Sequence, residues 1–106
     1  MGQEFTLGPG EAVTIVGPRL VILFVGVEGD SRCPADALCI QGGDAIVRIE
    51  VRTPGGRPIS YALHTGDMQP VTHEGFVIAL VQLSPYPFSS RQILPDEYRA
   101  TLRVTR

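Results

Sequence analysis

The sequence contains no lysine, no asparagine and no tryptophan. Its nine basic residues are therefore all arginines, and against eleven acidic residues they leave a net charge of −2. A chain so close to neutral has no overall field that attracts nucleic acid or an anionic membrane. No apolar run approaches the roughly 18 residues that a transmembrane helix needs. We therefore expect neither a nucleic-acid partner nor a transmembrane segment.

Helical periodicity is also missing, whereas turn residues are frequent. Twelve glycines and nine prolines fall in clusters between short apolar runs, which is typical of short strands joined by turns. Residues 44–52 give the clearest example, because apolar side chains such as Val47 and Ile49 alternate there with polar ones. A chain of 106 residues fits one domain, residues 1–106.

These patterns predict an all-β fold, a single-domain antiparallel β-sandwich or partly open barrel of about seven strands. The predicted strands are residues 5–7, 13–15, 19–27, 44–52, 59–65, 76–83 and 98–105. One helical turn is expected at residues 95–97, and no long helix.

Two of the predicted strands, residues 19–27 and 76–83, are apolar on both faces. The outer face of such a strand needs cover, either from another part of the chain or from a second copy of it. The Pro-rich segment 84–97 is long and apolar enough to fold back over a sheet, so we favour it as the cover. A homodimer through an apolar sheet face is the alternative.

The only two cysteines are Cys33 and Cys39. A disulfide between them would close a short loop, for which the chain-entropy model gives about 2 kcal/mol. Free thiols are the main alternative. Metal or redox work is disfavoured, since there is no Cys-x-x-Cys motif and only His64 and His73 could complete a zinc site. The favoured structural disulfide predicts an oxidising compartment.

Three carboxylates lie in or beside the cysteine loop: Asp30, Asp36 and Asp44. Together with backbone carbonyls they could hold Ca²⁺, although their spacing does not match the EF-hand loop. The favoured interpretation is that Asp30 or Asp36 pairs with Arg32 in a turn. No metal ligand is assigned.

Histidine and serine give no stronger signal. His64 and His73 flank a turn with Asp67 and could in principle bind a transition metal, but exposed histidines at strand ends are the favoured interpretation. No serine lies in a Gly-x-Ser-x-Gly context, and neither histidine is placed beside a serine by any signature. We therefore assign no catalytic residue and no cofactor.

Two surfaces are candidates for binding. One is a basic strip for an anionic ligand, made of Arg48, Arg52, Arg99 and Arg103. It forms only if the two strands that carry these residues are neighbours, and a salt-bridged, solvated sheet face is favoured over it. The other surface is a partner-binding site at Tyr86, Phe88 and Arg91. Aromatic side chains held by prolines lose little entropy on docking, unless they serve to cover the sheet.

The sequence resembles small uncharacterised bacterial exported proteins and lipoproteins that carry a motif Asp-Ser-Arg-Cys-Pro, a second cysteine and a glycine. In that group the position of Gln41 is often aromatic, so the chain departs from the pattern there. The resemblance implies export and a disulfide, and no activity, substrate or catalytic residue. The residues that resemble this group are 30–34, Cys39-Ile40, Gly42-Gly43, 84–87 and 98–102.

The function predicted from these observations is a non-enzymatic, exported binding or structural module, stabilised by the Cys33–Cys39 disulfide. Its partner would be a protein or an envelope component in the periplasm or at the cell surface. The alternative is a small ligand- or metal-binding periplasmic protein. Because Met1-Gly2 directly precedes a strand-like segment, we expect that an export leader has been removed.

Overall fold

A computed structural model of the protein describes residues 4–17, 19–34, 36, 38, 43–88, 90 and 92–105. These residues form eight β-strands and one short 3-10 turn. The strands are β1 (Glu4–Leu7), β2 (Ala12–Ile15), β3 (Leu20–Glu28), β4 (Ile46–Arg52), β5 (Ile59–His64), β6 (Val71–His73), β7 (Phe76–Ser84) and β8 (Arg99–Thr105), and the 3-10 turn is Pro95–Glu97. The helical turn expected there is confirmed, and within the described residues no helix is long and apolar enough to cross a membrane.

The strands form two four-stranded antiparallel sheets, in the orders β1-β8-β7-β6 and β2-β3-β4-β5. The predicted antiparallel β-sandwich is confirmed, and the sheets are open rather than closed into a barrel. The eight strands agree with the prediction of about seven, and β6 is the strand that the predicted set does not contain. This strand has only three residues between Pro70 and a tight turn in which Glu74 and Gly75 both have positive φ, so it is too short to show alternation.

The core lies between the two sheets and follows the alternation of the strands. In β4, Val47, Ile49 and Val51 are fully buried, while the side chains between them face outward. Leu20, Ile22 and Phe24 bury the inner face of β3 in the same way. Burial of apolar surface at about 25 cal/mol per Å² makes this inner layer the main source of stability.

A β-bulge returns Leu83 to the inner face of β7, whereas Val77 and Ala79 lie half-buried on its outer face. The pairing of β7 with β8 shifts between Leu80 and Gln82. Strict alternation from Leu80 would turn Leu83 outward, but the extra residue restores it to the core, and both leucines are buried. A second register shift lies in β3, between Phe24 and Gly26.

The segment 84–97 is not the cover that the sequence analysis expected. Ile93 packs against the core, but Tyr86, Phe88 and Leu94 remain 62%, 50% and 54% exposed. The outer face of β3 needs less cover than expected, since Val21 and Leu23 are already half-buried there. The aromatic rings of Tyr86 and Phe88 are therefore accessible to a binding partner.

Candidate binding site beside the Cys33 loop

Arg32 and Asp30 form the best-buried ion pair among the described residues. The Nε and Nη2 atoms of Arg32 donate to the two carboxylate oxygens of Asp30 at 2.9 and 2.8 Å. The Tyr98 hydroxyl donates to the same carboxylate at 2.7 Å. The Arg32 and Asp30 side chains are only 8% and 14% exposed. The expected pairing of Asp30 with Arg32 is thus confirmed, and the pair is also bonded to Tyr98, the residue directly before β8.

The same guanidinium holds the chain that follows β7. Nη1 of Arg32 donates to the Leu83 carbonyl at 2.9 Å, and Nη2 donates to the Pro85 carbonyl at 3.0 Å. The Arg32 guanidinium carbon lies 5.8 Å from the centre of the Tyr86 ring, within the range of a cation–π contact. Arg32 therefore fixes the backbone on the N-terminal side of Tyr86 and one side of its ring.

The hydrogen bonds of this cluster set its protonation states. Burial alone would raise the pKa of Asp30, but hydrogen bonds from Arg32 and Tyr98 outweigh it and lower that pKa. Burial and the hydrogen bond to Asp30 raise the pKa of Tyr98 to about 12. At neutral pH the cluster is a carboxylate, a guanidinium and a neutral phenol, so its net charge is zero.

The lowered pKa of Asp30 predicts a loss of stability in acid. A carboxyl group with a depressed folded-state pKa stabilises the fold above its unfolded pKa, and this contribution disappears as the pH falls through the folded pKa. We expect the free energy of unfolding to begin falling near the ordinary value of 3.8 and to continue below it. Urea denaturation of the wild type and of Asp30→Asn at several pH values measures this effect. The wild type should show the steeper decline, and parallel curves would contradict the assignment.

A groove of about 450 Å³ lies beside the cluster, between the cysteine loop, the segment after β5 and the second half of β7. We call it the Tyr86 groove. It is lined by Arg32, Cys33, Gly43, Thr65, Met68, Val81, Gln82, Leu83 and Tyr86. Its surface is mixed, with apolar side chains beside the Gln82 amide and the Thr65 hydroxyl. Such a lining suits a ligand that has both apolar groups and hydrogen-bonding groups.

Two of the three predicted partner-binding residues lie in the described structure. Tyr86 borders the Tyr86 groove, and Phe88 is half exposed two residues further along the chain. Arg91 lies outside the described residues. Cys39 also lies outside them, so its pairing with Cys33 stays a prediction.

Asp44 and His64 form a separate pair. Nδ1 of His64 is hydrogen-bonded to Asp44 Oδ2 at 2.6 Å, and the Gly66 amide donates to Asp44 Oδ1 at 2.8 Å. These hydrogen bonds lower the pKa of Asp44. The backbone of Asp44 also bonds Ser31. Asp44 therefore joins the two ends of the cysteine loop and the turn after β5, whereas Asp30 bonds Arg32 and Tyr98.

The second histidine is buried, contrary to the expectation that both are exposed. Nδ1 of His73 lies 2.8 Å from the Tyr61 hydroxyl, across the space between the sheets. Its Nε2 approaches the Glu74 carboxylate at 3.1 Å without the alignment of a hydrogen bond. His64 and His73 thus have different partners, and within the described ranges no three His, Cys, Asp or Glu side chains form a metal-binding group.

The structure does not bring the four candidate anion-binding arginines together. Arg48 and Arg52 lie on β4 in one sheet, whereas Arg99 and Arg103 lie on β8 in the other. Arg48 pairs with Glu28 at 3.2 Å, and Arg103 pairs with Glu4. Because the two strands are not neighbours, the basic strip does not form.

Sequence reasoning missed several residues of the Tyr86 groove, namely Thr65, Met68 and Gln82. None of them belongs to a motif, and they come together only through the packing of the two sheets. Arg32 was identified as a turn partner, but its contacts with Leu83 and Pro85 bridge more than fifty positions. The only feature of the sequence that pointed to a role for Arg32 was its position between Asp30 and Cys33.

Comparison with known proteins adds no relative: no protein-family model, no curated protein and no solved structure matches the chain.

Proposed function

We propose that the protein is a non-enzymatic binding module that holds a polypeptide partner in the Tyr86 groove. The observation that carries this proposal is the position of Tyr86, a large and mostly exposed aromatic side chain that Arg32 holds in place. Aromatic side chains fixed before binding are typical anchors of protein interfaces, because little conformational entropy is lost when they dock.

The neutral charge of the site also favours a polypeptide over an anionic ligand. Among the residues that the structure describes, Arg32 is the only charged one that lines the groove, and Asp30 already neutralises it. The alternative of a small ligand- or metal-binding protein has less support. Asp30 and Asp44, two of its candidate ligands, already accept hydrogen bonds from other parts of the chain.

Removal of the Tyr86 ring should weaken partner binding without unfolding the protein. A display library of seven-residue peptides, screened against the full chain, supplies the probe. We expect Tyr86→Ala to weaken the selected peptides at least about tenfold, the loss of more than 1 kcal/mol that is typical of an anchor residue. Isothermal titration calorimetry measures the affinities, and thermal unfolding should show a nearly unchanged midpoint.

Leu94→Ala is the matched control, because the Leu94 side chain is large, apolar and exposed to a similar extent as that of Tyr86, but it does not line the groove. This variant should bind like the wild type. If no peptide is selected, or if both variants bind like the wild type, the proposed function is wrong.

Export to the periplasm or the cell surface, with a Cys33–Cys39 disulfide, is the second part of the proposal. It is supported by the spacing of the two cysteines and by the resemblance to exported proteins. Mass spectrometry of the intact protein before and after reduction should show a gain of two hydrogen atoms. An unchanged mass would mean that the cysteines are thiols, and the argument for an oxidising compartment would fail.

A further inference from the structure

One half of β7 has no strand partner on the side that faces the Tyr86 groove. β6 pairs only with the first residues of β7, and its last pair is Val71 with Ile78. Pro70 lies directly before Val71, and among the described residues the pairing of β6 with β7 ends at Val71. From Ala79 to Ser84, β7 therefore pairs with β8 alone among the described strands.

The register shows which backbone groups face this open side. His73 and Phe76 close the two-residue turn between β6 and β7, so the backbone groups of Phe76 point towards β6. The backbone N–H and C=O groups of successive residues point to opposite sides of a strand. The backbone groups of Leu80, four residues after Phe76, therefore point to the same side as those of Phe76. After the bulge, Leu83 regains this direction, consistent with its carbonyl accepting a hydrogen bond from Arg32. No described residue hydrogen-bonds the Leu80 backbone on this side.

The Tyr86 groove lies where a further strand of this sheet would be. Val81, Gln82 and Leu83 form one of its walls, and Met68 and Tyr86 are exposed beside it. An unpaired strand edge offers N–H and C=O groups in the spacing of another backbone. Since Arg32 is neutralised, the groove complements an uncharged segment rather than an anion. An extended polypeptide with apolar side chains next to Met68 and Tyr86 has this chemistry.

We propose that the partner, a segment of another protein, binds as an added β-strand along Ala79–Ser84. This inference rests on the proposed function and specifies how the peptide is held. Main-chain hydrogen bonds to the backbone groups of Leu80 and to the N–H of Leu83 supply affinity, since Arg32 already binds the Leu83 carbonyl. Alternate side chains of the segment contact Met68 and Tyr86.

Backbone methylation of the bound peptide tests this inference without altering the protein. Peptides selected from the seven-residue library are synthesised with a single N-methyl group at each position in turn. Because an added strand bonds the edge only through alternate residues, methylation should weaken binding about tenfold at every second position and little in between. Binding should also slow hydrogen exchange at the Leu80 and Leu83 amides.

The possible failures can be told apart. A flat methylation profile without protection of Leu80 would overturn strand addition, while the effect of Tyr86→Ala would still support a binding module. Failure to select any peptide would overturn both proposals. A further outcome, seen by analytical ultracentrifugation, is that the protein dimerises and that the peptide dissociates the dimer. This result would assign the open edge of β7 to a second copy of the chain, and the inference of a different partner would be wrong.

Discussion

Arg32→Ala should lower the free energy of unfolding by about 3 kcal/mol, as expected when one partner of a largely buried ion pair is removed. The substitution removes the guanidinium from the Asp30 carboxylate, which keeps only the hydrogen bonds from the Tyr98 hydroxyl and from the backbone N–H of residue 32. It also leaves the carbonyls of Leu83 and Pro85 without their donor. Urea denaturation followed by circular dichroism measures the change.

The matched control is Arg48→Ala, which removes an arginine from an exposed pair. Arg48 and Glu28 are 3.2 Å apart, but their side chains are largely in contact with solvent. Surface pairs of this kind contribute little, so the control should change stability by less than about 1 kcal/mol. Equal effects of the two substitutions would show that Arg32 does not join the cysteine loop to β7 and β8.

Arg32→Lys separates charge from geometry. Lysine keeps the positive charge opposite Asp30, but its single ammonium cannot donate to Asp30, Leu83 and Pro85 in the planar arrangement of a guanidinium. We therefore expect this variant to lie between the wild type and Arg32→Ala in stability. A lysine variant as stable as the wild type would mean that the charge alone is sufficient.

The fold could be predicted wherever apolar and polar residues alternate along the sequence. The alternation of Val47 and Ile49 with polar residues marked β4 correctly, because its outer face is solvated and its inner face is not. The same rule failed at Leu83, since a bulge shifts the alternation by one residue. A bulge of this kind has no residue type that marks it, whereas the other register shift lies next to Gly26.

Only the contacts between residues close together in the sequence could be predicted for the candidate site. Asp30 and Arg32 are two positions apart, so their pairing could be inferred from neighbouring residues. The contacts of Arg32 with Leu83, Pro85 and Tyr86 depend on how two distant loops meet, and no periodic pattern carries that information. The exposure of Tyr86 could not be decided either, because a Pro-rich aromatic segment suits a cover over the sheet as well as an interface.

Phe24→Ala should have the largest effect, a loss of about 4 kcal/mol, which is typical of removing a fully buried phenylalanine. Among the described residues, Phe24 has the largest fully buried side chain, and it lies on the inner face of β3. Its backbone bonds to Gly10 and Glu11 do not involve the ring and persist in the variant. The loss therefore measures packing between the sheets. Urea denaturation gives the change, which is a large part of the 5–15 kcal/mol typical of a domain.

Val25→Ala is the control for this prediction, because Val25 is the adjacent residue and its side chain is 49% exposed. It lies at the register shift of β3, where the chain passes from Phe24 to Gly26 without a partner for the residue between them. A surface substitution there should change stability by only about 0.5 kcal/mol. A large loss for Val25→Ala together with a small loss for Phe24→Ala would place the inner face of β3 one residue later. The core of the sandwich would then be built from the other face of that strand.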